Sequence, residues 1–151
     1  MIDLNQQLSE NFKLFQFVTS QTAERKEIDN TPTKEVVLNL KKLCDTILEP
    51  AWFACGPLSV SSGYRCEALN AAIGGAKTSG HILGFCADII PLKATKLEFA
   101  RWVIKNVPFD QVILEFGTNV NPSWIHVSSD PRERKQVLQI LSGTGYVSVV
   151  I

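Results

Sequence analysis

Residues 111–128 read QVILEFGTNVNPSWIHVS and predict a β-hairpin. Apolar side chains alternate with their neighbours in both halves, as they do in strands that bury one face. The connection from Gly117 to Pro122 is rich in residues that favour turns. If the apolar sides of the two strands face the core, Glu115 and His126 share the opposite surface. The hairpin also implies antiparallel pairing.

Helices and further strands surround this hairpin without a regular β-α-β alternation. A long helix is predicted over 31–48, where Thr31 caps the first turn and apolar residues recur on one face. A second helix begins at the capping box of Thr95 and Glu98 and runs to about Asn106. Further predictions are a turn at Glu49-Pro50, strands near 58–61, 87–90 and 145–150, and a helix near 131–141. We therefore expect one α+β domain over 1–151, with a small antiparallel sheet flanked by helices.

The charge of the chain argues against a nucleic-acid-binding protein. Its 15 basic and 15 acidic residues cancel to a formal net charge of +0, whereas phosphate binding usually needs an excess of Lys and Arg. The one short basic cluster, Arg132, Arg134 and Lys135, is interleaved with Asp130 and Glu133, which favours a solvated helix face. No stretch approaches the roughly 18 apolar residues of a membrane span.

The N-terminal sequence and the cysteines bear on the cellular compartment. The first residues, MIDLNQQLSENFKLF, lack the basic and apolar segments of a secretory signal, so we expect a cytoplasmic protein. Action outside the cytoplasm would then require release or delivery. The four cysteines (Cys44, Cys55, Cys66 and Cys86) form no C-x-x-C pair, which argues against a zinc ribbon and favours free thiols.

The two histidines of the chain and one aspartate are the first choice for a functional site. His81 follows a glycine-rich loop, and Asp88 stands seven residues later in front of the apolar Ile89 and Ile90. A carboxylate beside such a run must be hydrogen-bonded, paired or metal-bound. His126 lies on the polar face of the predicted hairpin. Two imidazoles and a carboxylate are a ligand set for catalytic zinc, because three protein ligands leave a position for water.

Peptide hydrolysis at such a site also needs a carboxylate that moves the proton of the attacking water. Glu115 is the best candidate because the strand pattern places it on the same face of the hairpin as His126. The alternatives are an exposed His with a capping Asp, or a Ser/His/Asp triad built on Ser79 or Ser128, although neither serine lies in a nucleophile elbow. No cysteine has the local signature of a nucleophile.

Several motifs resemble the M15 family of zinc peptidases, which includes D-Ala-D-Ala carboxypeptidases. The family pattern is S-G-Y-R, L-N, G-G, S-x-H-x-x-G-x-x-x-D and then W-x-H. The matching residues here are Ser62 to Arg65, Leu69-Asn70, Gly74-Gly75, Ser79 to Asp88, and Trp124 to His126. Segments outside these motifs, such as Phe109-Asp110-Gln111, are similar to a phage- and bacteria-associated branch, so the resemblance extends over nearly the whole chain.

The resemblance implies a Hedgehog- and DD-peptidase-like fold and a zinc ion held by His81, Asp88 and His126. It implies that Arg65 points its planar guanidinium at the substrate, to bind a carboxylate or stabilise an oxyanion. Ser79 and Trp124 are further candidates for substrate binding. The implied substrates are peptidoglycan stem or cross-link peptides, with a D-amino acid at the bond. Release from the cell or delivery by a phage would bring the protein to the cell wall.

Some positions depart from the family pattern. Many members have an acidic catalytic base three residues before the last ligand, where this chain has Ser123. Glu115 is the substitute that we predict. Cys86 stands where a small residue is usual, and a thiol so close to zinc is a possible ligand or oxidation site. The competing hypotheses are an inactive, zinc-stabilised binding module and a structural component of a phage or cell envelope.

Overall fold

The computed structural model describes residues 1–151 and divides them among short strands and helices. The strands are β1 (Gln7–Ser9), β2 (Phe12–Lys13), β3 (Leu58–Ser62), β4 (Cys86–Pro91), β5 (Gln111–Glu115), β6 (Trp124–Ser128), β7 (Gln136–Ile140) and β8 (Val147–Ser148). The α-helices are α1 (Phe15–Val18), α2 (Gln21–Arg25), α3 (Lys34–Leu43), α4 (Glu49–Cys55), α5 (Glu67–Ala72) and α6 (Lys96–Asn106). A mixture of helices with a mainly antiparallel sheet is an α+β architecture, as predicted.

The main sheet has six strands in the order β3-β4-β6-β5-β7-β8. Neighbours pair antiparallel except β5 and β7, which are parallel, so the expectation of a wholly antiparallel sheet is wrong at this pair. The helix predicted near 131–141 is wrong as well, because β7 occupies 136–140. Parallel pairing along the whole of β5 satisfies the backbone of β7, and Val137 packs against the core. Pairing between segments distant in sequence thus outweighs local helix propensity.

The hairpin of β5 and β6 is confirmed, and its register fixes the two faces of the sheet. Ile113 lies opposite His126, and Glu115 lies opposite Trp124. Their side chains therefore project from one face. The alternate residues of β5 and β6 project from the other face and are at most 1% exposed: Val112, Leu114, Ile125 and Val127. That apolar face belongs to a core cluster of 24 buried residues, which leaves the opposite face to the polar groups.

The first long helix differs from its predicted bounds at both ends. It begins at Lys34, where the Thr33 hydroxyl rather than Thr31 accepts the capping hydrogen bond. The turn predicted at Glu49-Pro50 is wrong, since a π-helical turn over Cys44–Leu48 leads into α4. An apolar stripe continues across this junction and is fully buried, so packing keeps the segment helical: Leu43, Cys44, Ile47, Leu48 and Ala51. The capping box of Thr95 and Glu98 at α6 is confirmed.

None of the helices has the length and apolar character needed to cross a bilayer.

Candidate active site

Two neighbouring strands bring Asp88 and His126 together on the polar face of the sheet. They are directly opposite each other in β4 and β6, and His126 Nδ1 lies 3.1 Å from Asp88 Oδ1. His81 reaches the same carboxylate from a 3₁₀ turn over Gly80–Ile82, with its Nε2 3.4 Å from Asp88 Oδ1. The Ser79 hydroxyl accepts a hydrogen bond from the backbone N–H of His81 and so caps this turn. The three predicted metal ligands therefore converge on one carboxylate oxygen.

A backbone carbonyl fixes the tautomer of His81. Its Nδ1 lies 2.6 Å from the Gly63 carbonyl oxygen, which can only accept a hydrogen bond, so Nδ1 carries the proton. The other ring nitrogen, Nε2, then faces Asp88 and is the atom that offers a lone pair to a metal once its proton has left. This is the orientation in which a backbone acceptor usually holds a metal-binding imidazole.

Glu115 is the second carboxylate beside His126. Its Oε1 lies 3.7 Å from His126 Nδ1, the same nitrogen that faces Asp88. Single ligand atoms of Asp88, Glu115 and His126 lie within 4.8 Å of one another. Burial, followed by the charge of Asp88, raises the pKa of the Glu115 carboxyl. The prediction from strand sidedness that Glu115 and His126 share a surface is confirmed by this distance.

The histidine–aspartate cluster is almost closed to solvent. His81, Asp88 and His126 are 3%, 5% and 7% exposed. Burial opposes ionisation of Asp88, yet hydrogen bonds and charge from His126 and His81 hold its pKa well below the ordinary value. Burial would lower the pKa of His81, but Cys86 and Asp88 raise it to about 9. Metal binding must therefore displace protons from the imidazoles.

Cys86, which the sequence placed near the zinc but outside the set of three ligands, belongs to the same cluster. Single ligand atoms of His81, Cys86 and His126 lie within 4.8 Å of one another, and the thiol is fully buried. The spacing of two residues from Asp88 within a strand was the available signal, because it places both side chains on one face. All four cysteines are free thiols, as expected.

Arg65 extends along the rim of the cluster. Its Nη2 lies 3.8 Å from Asp88 Oδ2, and its Nη1 donates to Asn70 Oδ1 at 3.0 Å. Its buried Nε has no hydrogen-bond partner. A guanidinium with a donor left over can donate a hydrogen bond to an oxygen of a ligand.

One cavity of about 920 Å³ contains all the predicted site residues: Arg65, Ser79, His81, Asp88, Glu115, Trp124 and His126. Sequence reasoning missed other wall residues from the C-terminal part of the chain, including Arg132, Arg134, Leu138 and Tyr146. They reach the cavity through the β7 and β8 region, which was predicted partly as a helix. The serine triad has no support, because the Ser79 hydroxyl caps the turn and the Ser128 hydroxyl faces Asp110 and the Asp130 backbone.

The basic cluster after β6 is not a solvated helix face. Arg134 forms a double contact with the fully buried Asp110, with Nε at 2.9 Å and Nη2 at 2.7 Å. Asp110 also accepts the backbone N–H of Arg134 at 2.9 Å. Arg132 makes the same kind of double contact with Asp130, but its side chain is 62% exposed against 33% for Arg134. The Asp110–Arg134 pair therefore anchors this wall of the cavity.

Arg134→Ala is expected to lower the free energy of unfolding of the metal-free protein by roughly 2–3 kcal/mol. Losing one partner of a fully buried pair costs about 3–5 kcal/mol, and the partial exposure of Arg134 reduces this value. Arg132→Ala is the matched control and should cost less than about 1 kcal/mol. Urea denaturation in the presence of a chelator measures both. Equal losses would show that the Asp110 pair is no anchor.

The loss in Arg134→Ala should also depend on pH. Burial raises the pKa of Asp110, but hydrogen bonds from Arg134 outweigh it and leave the pKa below the ordinary value. A carboxyl with a lowered pKa in the folded state stabilises the protein above its unfolded pKa, and this stability is lost as the pH falls through the folded pKa. The free energies of unfolding of the wild type and Arg134→Ala should therefore differ by the full amount at neutral pH and become similar in acid.

A family model described as Peptidase M15 matches residues 10–128. The match includes the three predicted ligands and Glu115, and it ends before the cavity wall formed by Arg132, Arg134, Leu138 and Tyr146. Among curated proteins, none matches the chain.

Proposed function

The chain belongs to the peptidase M15 family, and from this membership we propose that it is a zinc-dependent peptidase acting on the stem or cross-link peptides of peptidoglycan. The observation that carries the proposal is one cavity in which two imidazoles meet one carboxylate oxygen while a second carboxylate stands beside them. Family membership implies the peptidase. The peptidoglycan substrate and the roles of the residues are part of the proposal.

The donor set fits zinc. His81 Nε2, Asp88 Oδ1 and His126 Nδ1 are two nitrogens and one oxygen of the types that zinc prefers, and all three residues are nearly closed to solvent. When bound there, zinc supplies a Lewis acid that polarises the peptide carbonyl and lowers the pKa of the attacking water.

Glu115 and Arg65 supply the two functions that the metal ligands do not, proton transfer and binding of a negatively charged oxygen. Glu115 lies 3.7 Å from His126 on the cavity wall, where its carboxylate can take a proton from water and return it to the leaving amine. Arg65 has an unpaired Nε and a planar fork, which suit the developing oxyanion or a carboxylate of the substrate. Ser79 holds the His81 turn, and Trp124 lies opposite Glu115 in the sheet.

The cavity is large enough for several residues of a peptide. A second cavity of about 880 Å³ adjoins it and shares Ser61, Ser62, Arg65 and Ile73 as wall residues. Cleavage within a peptide and removal of its last residue both fit a cavity of this size. The D-amino acid and the exact bond follow from the family resemblance alone.

We expect defined muropeptides to be cleaved by the zinc-loaded protein and to stay intact with a chelator-treated sample. Mass spectrometry of tripeptide, tetrapeptide, pentapeptide and cross-linked dimer substrates identifies the bond. Loss of terminal D-alanine would assign a carboxypeptidase, and a split stem or cross-link an endopeptidase. Intact substrates with one zinc per chain would contradict the peptidase and favour a zinc-stabilised binding or structural module.

A further inference from the structure

Cys86 lies beneath the histidine–aspartate cluster, at the start of β4. It stands two residues before Asp88 in the strand, so both side chains project from the polar face. The thiol is fully buried and does not line the cavity. A Cβ atom added at Gly80 would lie 3.2 Å from Cys86 Sγ, which shows how closely the His81 turn covers the sulfur.

Two overlapping groups of metal-binding atoms share His126. One group, Asp88, Glu115 and His126, lies on the cavity side and offers two carboxylates with one imidazole. The other, His81, Cys86 and His126, consists of buried residues and offers two imidazoles with one sulfur. In both groups the ligand atoms lie within 4.8 Å of one another. The cluster therefore has an oxygen-rich outer side and a sulfur-containing inner side.

The two sides differ in the metals that they favour. Carboxylate oxygens suit hard ions such as Mn²⁺, whereas thiolate sulfur favours softer ions, among which zinc and cadmium are bound well by Cys with His. A thiol must lose its proton on binding, and that proton passes to solvent. Cys86 does not line the cavity, although His81 and His126 do, so a metal bound to the thiolate is set back from a substrate in the cavity.

We propose that His81, Cys86 and His126 form an inner, thiolate-containing metal position that competes with the proposed zinc site of His81, Asp88 and His126. The proposal rests on the proposed zinc function, because the two positions share imidazole ligands. Soft metals occupy the inner position, and the balance between the positions sets how much of the bound metal can serve a substrate.

Titration with Co²⁺ tests the inner position without any substrate. A thiolate ligand gives an intense near-ultraviolet charge-transfer band, which oxygen and nitrogen ligands do not give. The wild type should show this band, and Cys86→Ser and Cys86→Ala should lose it while still binding cobalt. The double variant Cys55→Ser/Cys66→Ser is the matched control, because its two half-buried thiols lie outside the cluster, and it should keep the band.

Competition between Cd²⁺ and Mn²⁺ gives a second readout. The preference of the wild type for Cd²⁺ should fall by at least about tenfold in Cys86→Ser, in line with losing a partner of a metal site. Cobalt bound by the wild type without the band would overturn the inner position and leave the zinc peptidase standing. Failure of every variant and the wild type to bind cobalt would overturn both.

Discussion

Glu115→Gln is expected to lower the turnover of a cleaved peptide by about 10²–10⁴-fold, the range for loss of a general acid–base group. Gln keeps the size and the strand position of Glu115 but cannot take a proton from water. Zinc binding should remain, because the three predicted ligands are His81, Asp88 and His126. Turnover on a defined muropeptide and elemental analysis of zinc per chain measure the two properties separately.

Glu98→Gln is the matched control for this substitution. Glu98 is exposed on α6, and Gln can replace Glu in a capping box, so stability and turnover should stay near those of the wild type. If Glu115→Gln retained full turnover, Glu115 would have no part in the mechanism. If it lost zinc together with turnover, Glu115 would be a ligand instead, as its place beside Asp88 and His126 allows.

The hairpin shows how far sequence patterns alone can locate a site. The alternation in 111–128 predicted the strands and the shared face of Glu115 and His126, because a strand buries every second side chain. The glycine-rich loop before His81 and the apolar run after Asp88 singled out these two residues, and the family motifs supported the choice. The structure places both histidines and Glu115 around the carboxylate of Asp88. Local signals also sufficed for the capping box of α6, whose two side chains lie within one turn.

The wall of the cavity could not be predicted in this way. Residues 131–141 carry charges and apolar residues at helical spacing, yet β7 forms there because β5 offers a parallel edge from a distant part of the chain. The chain before β7 also adopts positive φ values at Glu133 (44°) and Lys135 (55°), which a helix excludes. Buried Asp110 holds this loop through Arg134, a contact across 24 positions that no local pattern reveals.

His126→Gln is expected to remove the stabilisation that zinc gives to the folded protein. A ligand present at 100 times its dissociation constant stabilises by about 2.7 kcal/mol. His126 belongs to both groups of metal-binding atoms, whereas Asp88 and Cys86 each belong to one. Its loss should therefore lower zinc affinity by well over the roughly 10–100-fold seen for partners of metal ligands. The loss of affinity should also exceed that of Asp88→Asn or Cys86→Ser. Thermal unfolding with and without zinc gives the zinc increment of each variant, which is the gain in stability that zinc binding provides.

Thr95→Ala separates loss of metal binding from loss of stability in the same experiment. It removes the N-cap of α6 and should lower the free energy of unfolding by about 1 kcal/mol, while its zinc increment stays that of the wild type. His126→Gln should show no gain from zinc relative to its own metal-free form, which is itself less stable because Asp88 loses a buried partner. If zinc stabilised His126→Gln as much as the wild type, the metal would bind elsewhere, because both groups of metal-binding atoms contain His126. Peptidase activity would then have to be assigned to another part of the cavity.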